Sequence, residues 1–130
     1  MTLAFCDSSA LVKLVVREPE SSALERSLRG YTVLAASALA TVEVPRAVRG
    51  QGSEMAIAAH RMLRSFEIVA LGRDVLQRAA LVSPAELRSL AAIQLASALQ
   101  LAHLDPVFVA YDKRMLEAAA MAGLRTSSPK

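Results

Sequence analysis

Short apolar runs alternate with amphipathic stretches along the whole of this chain, and that alternation constrains the fold more than any other feature. Apolar runs at Thr2–Cys6, Thr32–Ala35, Phe66–Leu71 and Pro106–Ala110 read as strands, with Leu124–Thr126 as a short fifth. Between them lie helical patterns. They are predicted over Ser9–Val16, from Pro19 through Leu28, and over Ala38–Val48, Ser53–Arg64, Asp74–Leu81, Ala85–Ala102 and Asp112–Ala122. The stops are legible: Gly30 and Gly123 end helices, and Pro19 and Pro84 open them. Ser37 and Ser53 read as N-caps. The helix over residues 85–102 carries its apolar stripe at Leu87, Leu90, Ala91, Leu95, Ala98, Leu99 and Ala102. Strands alternating with helices imply a parallel sheet of four to five strands covered on both faces. No linker, repeat or low-complexity segment interrupts the pattern, so residues 1–130 form a single domain. The tail Ser127-Ser128-Pro129-Lys130 is expected to be loose.

Composition narrows the class. The chain is 54% hydrophobic with a mean hydropathy of +0.37, yet only 4% aromatic. Its core must be aliphatic, and excess apolar surface predicts a homodimer or a bound partner. The net charge of +3 rests on twelve Arg and three Lys. Arg suits bidentate phosphate contacts, although a codon bias towards Arg accounts for the same count. Cys6 stands alone, which excludes a disulfide framework and a cysteine-rich metal site. It reads as a small buried strand residue in a cytoplasmic protein. Asp7 and Lys13 break the first apolar segment, which argues against a signal peptide. The longest apolar span, Tyr31 to Val44, stops at Pro45 and falls short of the roughly 20 residues of a membrane helix.

Asp7 is the most informative single residue. It ends the first strand and is followed by Ser8-Ser9-Ala10-Leu11. In open parallel sheets the C-terminal edge of the strands is where ligands bind. The chain has only four Asp residues, and Asp112 follows another apolar run in the same way. Glu43 lies two turns into the helix that leaves the second strand, between Val42 and Val44. All three acids therefore reach one crevice. Clustered carboxylates repel one another without a cation, and an all-oxygen set points to Mg²⁺ or Mn²⁺. Such an ion activates water and stabilises phosphoryl oxygens. Each acid also has a plainer reading. Asp7 and Asp112 suit N-caps, and Glu43 a solvated helix position. The joint placement favours the metal site.

Other patterns carry less. His60 and His103 share no ligand spacing and are expected to face solvent. Gly50-Gln51-Gly52 does not follow a strand, so it is no phosphate loop. Met55, Met62, Met115 and Met121 read as core or interface packing. Lys13, Arg46, Arg88 and Arg114 are candidates for a basic rim that holds RNA phosphates.

The run Phe5-Cys6-Asp7-Ser8-Ser9-Ala10-Leu11-Val12-Lys13-Leu14 is followed by Glu18-Pro19-Glu20 and Thr41-Val42-Glu43-Val44. Then come Leu87-Arg88-Ser89-Leu90, Ala92-Ile93, Leu95-Ala96-Ser97-Ala98-Leu99, and Tyr111-Asp112 with Arg114-Met115. In this order and spacing the chain resembles PIN-domain ribonucleases, in particular the toxins of VapBC toxin–antitoxin pairs, over essentially its whole length. The resemblance implies a PIN-like three-layer α/β sandwich and Mg²⁺- or Mn²⁺-dependent endoribonuclease activity. It also implies 5′-phosphate and 3′-hydroxyl products, a homodimer, a small VapB-type antitoxin, and tRNA or ribosomal RNA as target. Its catalytic and metal-binding acids match Asp7, Glu43 and Asp112. Ser8 and Ser9 match the hydroxyls beside the metal and join the RNA-binding candidates. The antitoxin is expected to cover the acidic pocket, with a second contact around Leu11, Val15, Leu24 and Leu28.

One family acid is missing. The Asp expected before Ala-Ile at the start of the long helix is Ala91, and the position three residues on, often His, is Gln94. Ala91 offers no oxygen to a cation, so weaker metal binding and reduced or absent cleavage are expected. Natural decay and a deliberate Asp→Ala replacement both account for Ala91, and the survival of the other three acids favours replacement. Two alternatives stand beside the nuclease. One is a non-catalytic PIN-like module that binds RNA or protein. The other is a receiver-like domain in which Asp7 is only a cap.

Overall fold

A computed structural model describes all residues 1–130. Five strands form one parallel sheet: β1 (Leu3–Cys6), β2 (Val33–Ser37), β3 (Glu67–Val69), β4 (Val107–Val109) and β5 (Arg125–Ser127). Their spatial order is β3-β2-β1-β4-β5, with every neighbouring pair parallel. β1 sits at the centre and all four of its residues are buried. Seven helices cover the sheet: α1 (Ser8–Lys13), α2 (Ser21–Leu28), α3 (Ala40–Val48), α4 (Ser53–Leu63), α5 (Arg73–Leu81), α6 (Ser89–Leu99) and α7 (Lys113–Met121). No helix is long and apolar enough to cross a membrane.

The pleat of β1 divides the core in two, because successive side chains point to opposite faces. Ala4 and Cys6 join Leu11, Leu24, Val44, Val48 and Val109 on the face covered by α1 to α4. Leu3 and Phe5 join Leu95, Phe108 and Met115 on the face covered by α6 and α7. Phe5 and Phe108, paired across β1 and β4, stack with ring centroids 5.6 Å apart. Few aromatics suffice because the rest of both layers is filled by Ala, Val and Leu. Cys6 is fully buried, and burial holds its thiol above the ordinary range, so it is a packing residue.

Several expected boundaries move, each for a local reason. The long helix starts at Ser89, not Ala85. Residues 84–87 close a turn instead, with the Leu87 N–H donating to the Pro84 carbonyl at 3.0 Å, and Arg88 is extended. Its predicted stripe also fails at Leu90, which is 53% exposed. α6 is buried nearly all round, at Ala92, Gln94, Leu95, Ala96, Ser97 and Ala98, so no single stripe describes it. Ser37 is the last residue of β2 and not an N-cap. Its buried hydroxyl receives a hydrogen bond from the Ser97 hydroxyl at 2.9 Å, and α3 begins three residues later. The tail is not loose: Ser127 pairs in β5, and the Tyr111 hydroxyl donates to the Pro129 carbonyl at 2.6 Å. Leu11, Leu24 and Leu28 are core residues, so they are not available as an antitoxin surface; Val15 is half-buried. Met121 is exposed, unlike Met115. His60 and His103 face solvent as expected.

Candidate active site

The strand order reverses beside β1, since the chain moves from β1 to β2 and β3 on one side and later adds β4 and β5 on the other. The C-terminal edge at such a reversal leaves a crevice that the crossing helices do not fill. Asp7 stands there. Its backbone N–H donates to the Val109 carbonyl at 3.1 Å, which extends the β1–β4 pairing by one step and fixes its position. Its side chain caps α1, with Oδ1 accepting from the Ala10 N–H at 3.1 Å and from the Ser9 hydroxyl at 2.6 Å. The cap reading of Asp7 is therefore correct, and Oδ2 takes no hydrogen bond from the chain.

Asp7 is only 4% exposed. Burial raises its pKa to about 6, against the lowering effect of the Ser9 and Ala10 hydrogen bonds, and the nearby Asp112 charge raises it further. A carboxylate desolvated at the end of a strand, within reach of a second acid's charge, is a costly arrangement for a purely structural residue.

Asp112 arrives from β4. It caps α7, where Oδ1 accepts from the Arg114 N–H at 2.8 Å and the Met115 N–H at 3.3 Å. Ser9 ties the two strand ends together, because its hydroxyl accepts from the Tyr111 N–H at 3.0 Å while donating to Asp7. Glu43 comes in from α3. The Ser8 hydroxyl donates to its Oε1 at 2.7 Å, and the Gln94 amide Nε2 donates to the same oxygen at 2.9 Å. Nε2 also reaches Ser8 Oγ at 2.9 Å. A three-residue ring from α1, α3 and α6 thus holds Glu43, and it is anchored one residue from Asp7. Gln94 is 3% exposed, and its Oε1 has no hydrogen-bond partner.

The sequence flagged Gln94 only as a departure from a pattern and missed its grip on Glu43. A polar residue inside Ala92-Ile93-Gln94-Leu95-Ala96 was the available signal, since a buried amide needs partners.

The basic candidates separate. Lys13 is committed to Glu18 at 2.9 Å and Glu20 at 3.0 Å and lies over the Tyr111 ring at 4.8 Å. The Glu18 hydrogen bond is the main reason its ammonium sits above the usual range. It braces the α1–α2 connection and does not join a rim. Arg46 is exposed on α3. Arg88 and Arg114 line a cavity of about 490 Å³ together with Asp112, Ala91, Lys113 and Glu86. Asp7 and Glu43 are outside that lining. Ser8 and Ser9 already give their hydroxyl hydrogens to Glu43 and Asp7.

No three Asp, Glu, His or Cys side chains stand close enough to form a ready metal-ligand set. The donors still fit a hard divalent cation of the Mg²⁺ type, which keeps several waters and needs only one or two carboxylates. Asp7 Oδ2 takes no hydrogen bond, and neither does the second oxygen of Asp112 or of Glu43.

Comparison with known proteins agrees with this layout. The model of the PIN domain family matches residues 4–121. The chain belongs to the PIN-domain family. It is 41% identical over 129 residues to ribonuclease VapC46 of Mycobacterium tuberculosis, covering 99% of each chain. Ribonuclease VapC47 of the same species is 36% identical over 132 residues, covering 98% of this PIN domain and 97% of that protein. Among solved structures, a toxin–antitoxin complex from Klebsiella pneumoniae superposes with a TM-score of 0.74 at 22% identity, covering 98% of each chain. Mycobacterium tuberculosis VapC20, described as a sarcin–ricin loop cleaving toxin, gives 0.75 at 18% identity, covering 98% of this chain and all of that one. These two likenesses carry the fold.

Proposed function

We propose that this PIN domain is a metal-dependent endoribonuclease toxin of a toxin–antitoxin pair, with its cleaving power reduced at one position. The observation that carries the reading is the meeting of Asp7 and Asp112 where the strand order reverses, with the Asp7 carboxyl raised to about 6 by burial and by its neighbour's charge. Its relatives named ribonucleases at 36 to 41% identity support the same chemistry.

In this account Asp7, Asp112 and Glu43 are the residues that would hold Mg²⁺ or Mn²⁺, each having one carboxylate oxygen without a hydrogen bond. The cation supplies charge neutralisation at phosphoryl oxygens and acidifies a water. The protein's own residues supply position. Ser9 sets the spacing of the two strand ends, and Ser8 with Gln94 sets the rotamer of Glu43. Arg88 and Arg114 attract phosphate. Ala91 leaves the ligand set one carboxylate short, which lowers cation affinity.

The partners under this reading are an RNA of the tRNA or ribosomal class, a VapB-type antitoxin over the acidic pocket, and a second copy of the chain, in the cytoplasm. A second reading, a non-catalytic RNA- or protein-binding module, draws on one observation: no three potential ligands stand together. A Mn²⁺ titration followed by thermal unfolding tests the metal site, since a ligand that prefers the native state raises the melting temperature. A rise that disappears in Asp7→Asn supports the nuclease reading. No rise at millimolar Mn²⁺ would count against it.

A further inference from the structure

The cavity beside Asp112 continues along α7. A second cavity of about 320 Å³ shares Glu86, Leu87 and Arg114 with the first and extends to Met121. Together they make one groove between the turn at residues 84–87 and α7. Its chemistry changes along its length. Arg88, Lys113 and Arg114 stand at the end that holds Asp112 and Ala91. Glu117 and Met121 join Glu86 and Leu87 at the far end, where Met121 is 70% exposed. None of these five charged side chains takes part in a salt bridge within the chain. Charges left unpaired on opposite sides of a groove suit a ligand that carries both an anion and donor groups.

Building on the reading of the site as RNA-cleaving, we propose that this groove holds one unstacked nucleobase beside the phosphate presented at the acids, and that it selects bases bearing an exocyclic amino group. Arg88 and Lys113, which line only the first cavity, meet the phosphate, and Arg114 stands between the two ends. Leu87 and Met121 offer apolar surface to the face of a base. The carboxylates of Glu86 and Glu117 accept hydrogen bonds from amino groups, as acidic side chains do from cytosine N4. They repel carbonyl oxygens. Adenine, cytosine and guanine each present an amino group, whereas uracil offers these carboxylates only its N3–H between two carbonyl oxygens and is bound more weakly. The far cavity lies at the small end of ligand pockets, about 300 Å³, which suits one base and excludes a duplex.

The test is equilibrium binding, which does not require cleavage. Labelled pentauridine and three pentanucleotides with A, C or G at the centre of the uridine run are titrated with the full chain freed of antitoxin. Pentauridine is expected to bind about tenfold more weakly than the other three. The double variant Glu86→Ala/Glu117→Ala should bring all four affinities within about twofold at an unchanged melting temperature. Arg88→Ala/Lys113→Ala should weaken all four together, as loss of phosphate contacts does. Equal binding of the four RNAs to the unaltered chain, or discrimination that survives the glutamate variant, would overturn the base site and leave the nuclease reading standing. Failure of every RNA to bind would overturn both.

Discussion

Ala91 and Asp112 line the same cavity of about 490 Å³. An aspartate at position 91 would therefore project towards the space that Asp112 borders, from the first turn of α6. Of the three acids, Asp112 alone shares that cavity with position 91. Asp7 caps α1, Asp112 caps α7, and Glu43 is held by two donors.

The pH dependence of stability follows from Asp7. Its folded pKa of about 6 lies above the ordinary 3.8. A raised carboxyl favours folding while it is protonated, so the metal-free protein loses stability as pH rises from about 4 to about 6. Asp7→Asn keeps a capping side chain and removes the titration. At pH 7 the variant should be the more stable one, by at most about 3 kcal/mol for a shift of roughly two units. At pH 4 the two should match. Urea unfolding at the two pH values measures this.

Asp112 has separable roles. Asp112→Ala loses the α7 cap and should cost about 1 kcal/mol. Asp112→Asn retains a capping oxygen and should cost less than half of that. Both should abolish stabilisation by Mn²⁺, because neither keeps a carboxylate. Thermal unfolding with and without Mn²⁺ separates the cap from the ligand.

Gln94 should matter to the cation more than to the fold. Gln94→Leu removes two donors to the Ser8–Glu43 pair, but also removes a buried acceptor that has no partner. The stability terms oppose each other, so unfolding should change by about 1 kcal/mol or less. Glu43 loses one of its two restraints, and Mn²⁺ affinity should fall roughly tenfold, the range seen when groups that orient a ligand are lost. Calorimetric titration of the variant reads this directly.

Much of this was legible in the sequence, and the exceptions share a cause. Asp7 and Asp112 were readable because a strand end followed by a capping residue is a local pattern. The parallel sheet and its cover on both faces followed from alternation with helices, whereas the central place of β1 did not. The grip of Gln94 on Glu43 was not readable, since it joins residues 51 positions apart. Lys13 misled for a similar reason: its charge pointed to RNA, but Glu18 and Glu20 hold it. The start of α6 was misplaced because Ser83-Pro84 suits a turn as well as a helix start, and only the Pro84–Leu87 hydrogen bond decides between them. Leu11 and Leu24 read as partner surface on hydrophobicity alone but are core, because core and interface residues look alike in sequence.

The most direct measurement is Mn²⁺-dependent cleavage of a structured RNA pool by this chain and by Ala91→Asp, both freed of antitoxin. The account predicts slow or undetectable cleavage by the chain as it stands. It predicts at least about a tenfold gain in the variant, the effect of one added charge-assisted ligand worth some 1.5 kcal/mol. The products should carry 5′-phosphates. Equal rates for the two proteins, or no cleavage by either across tRNA and ribosomal RNA, would contradict it.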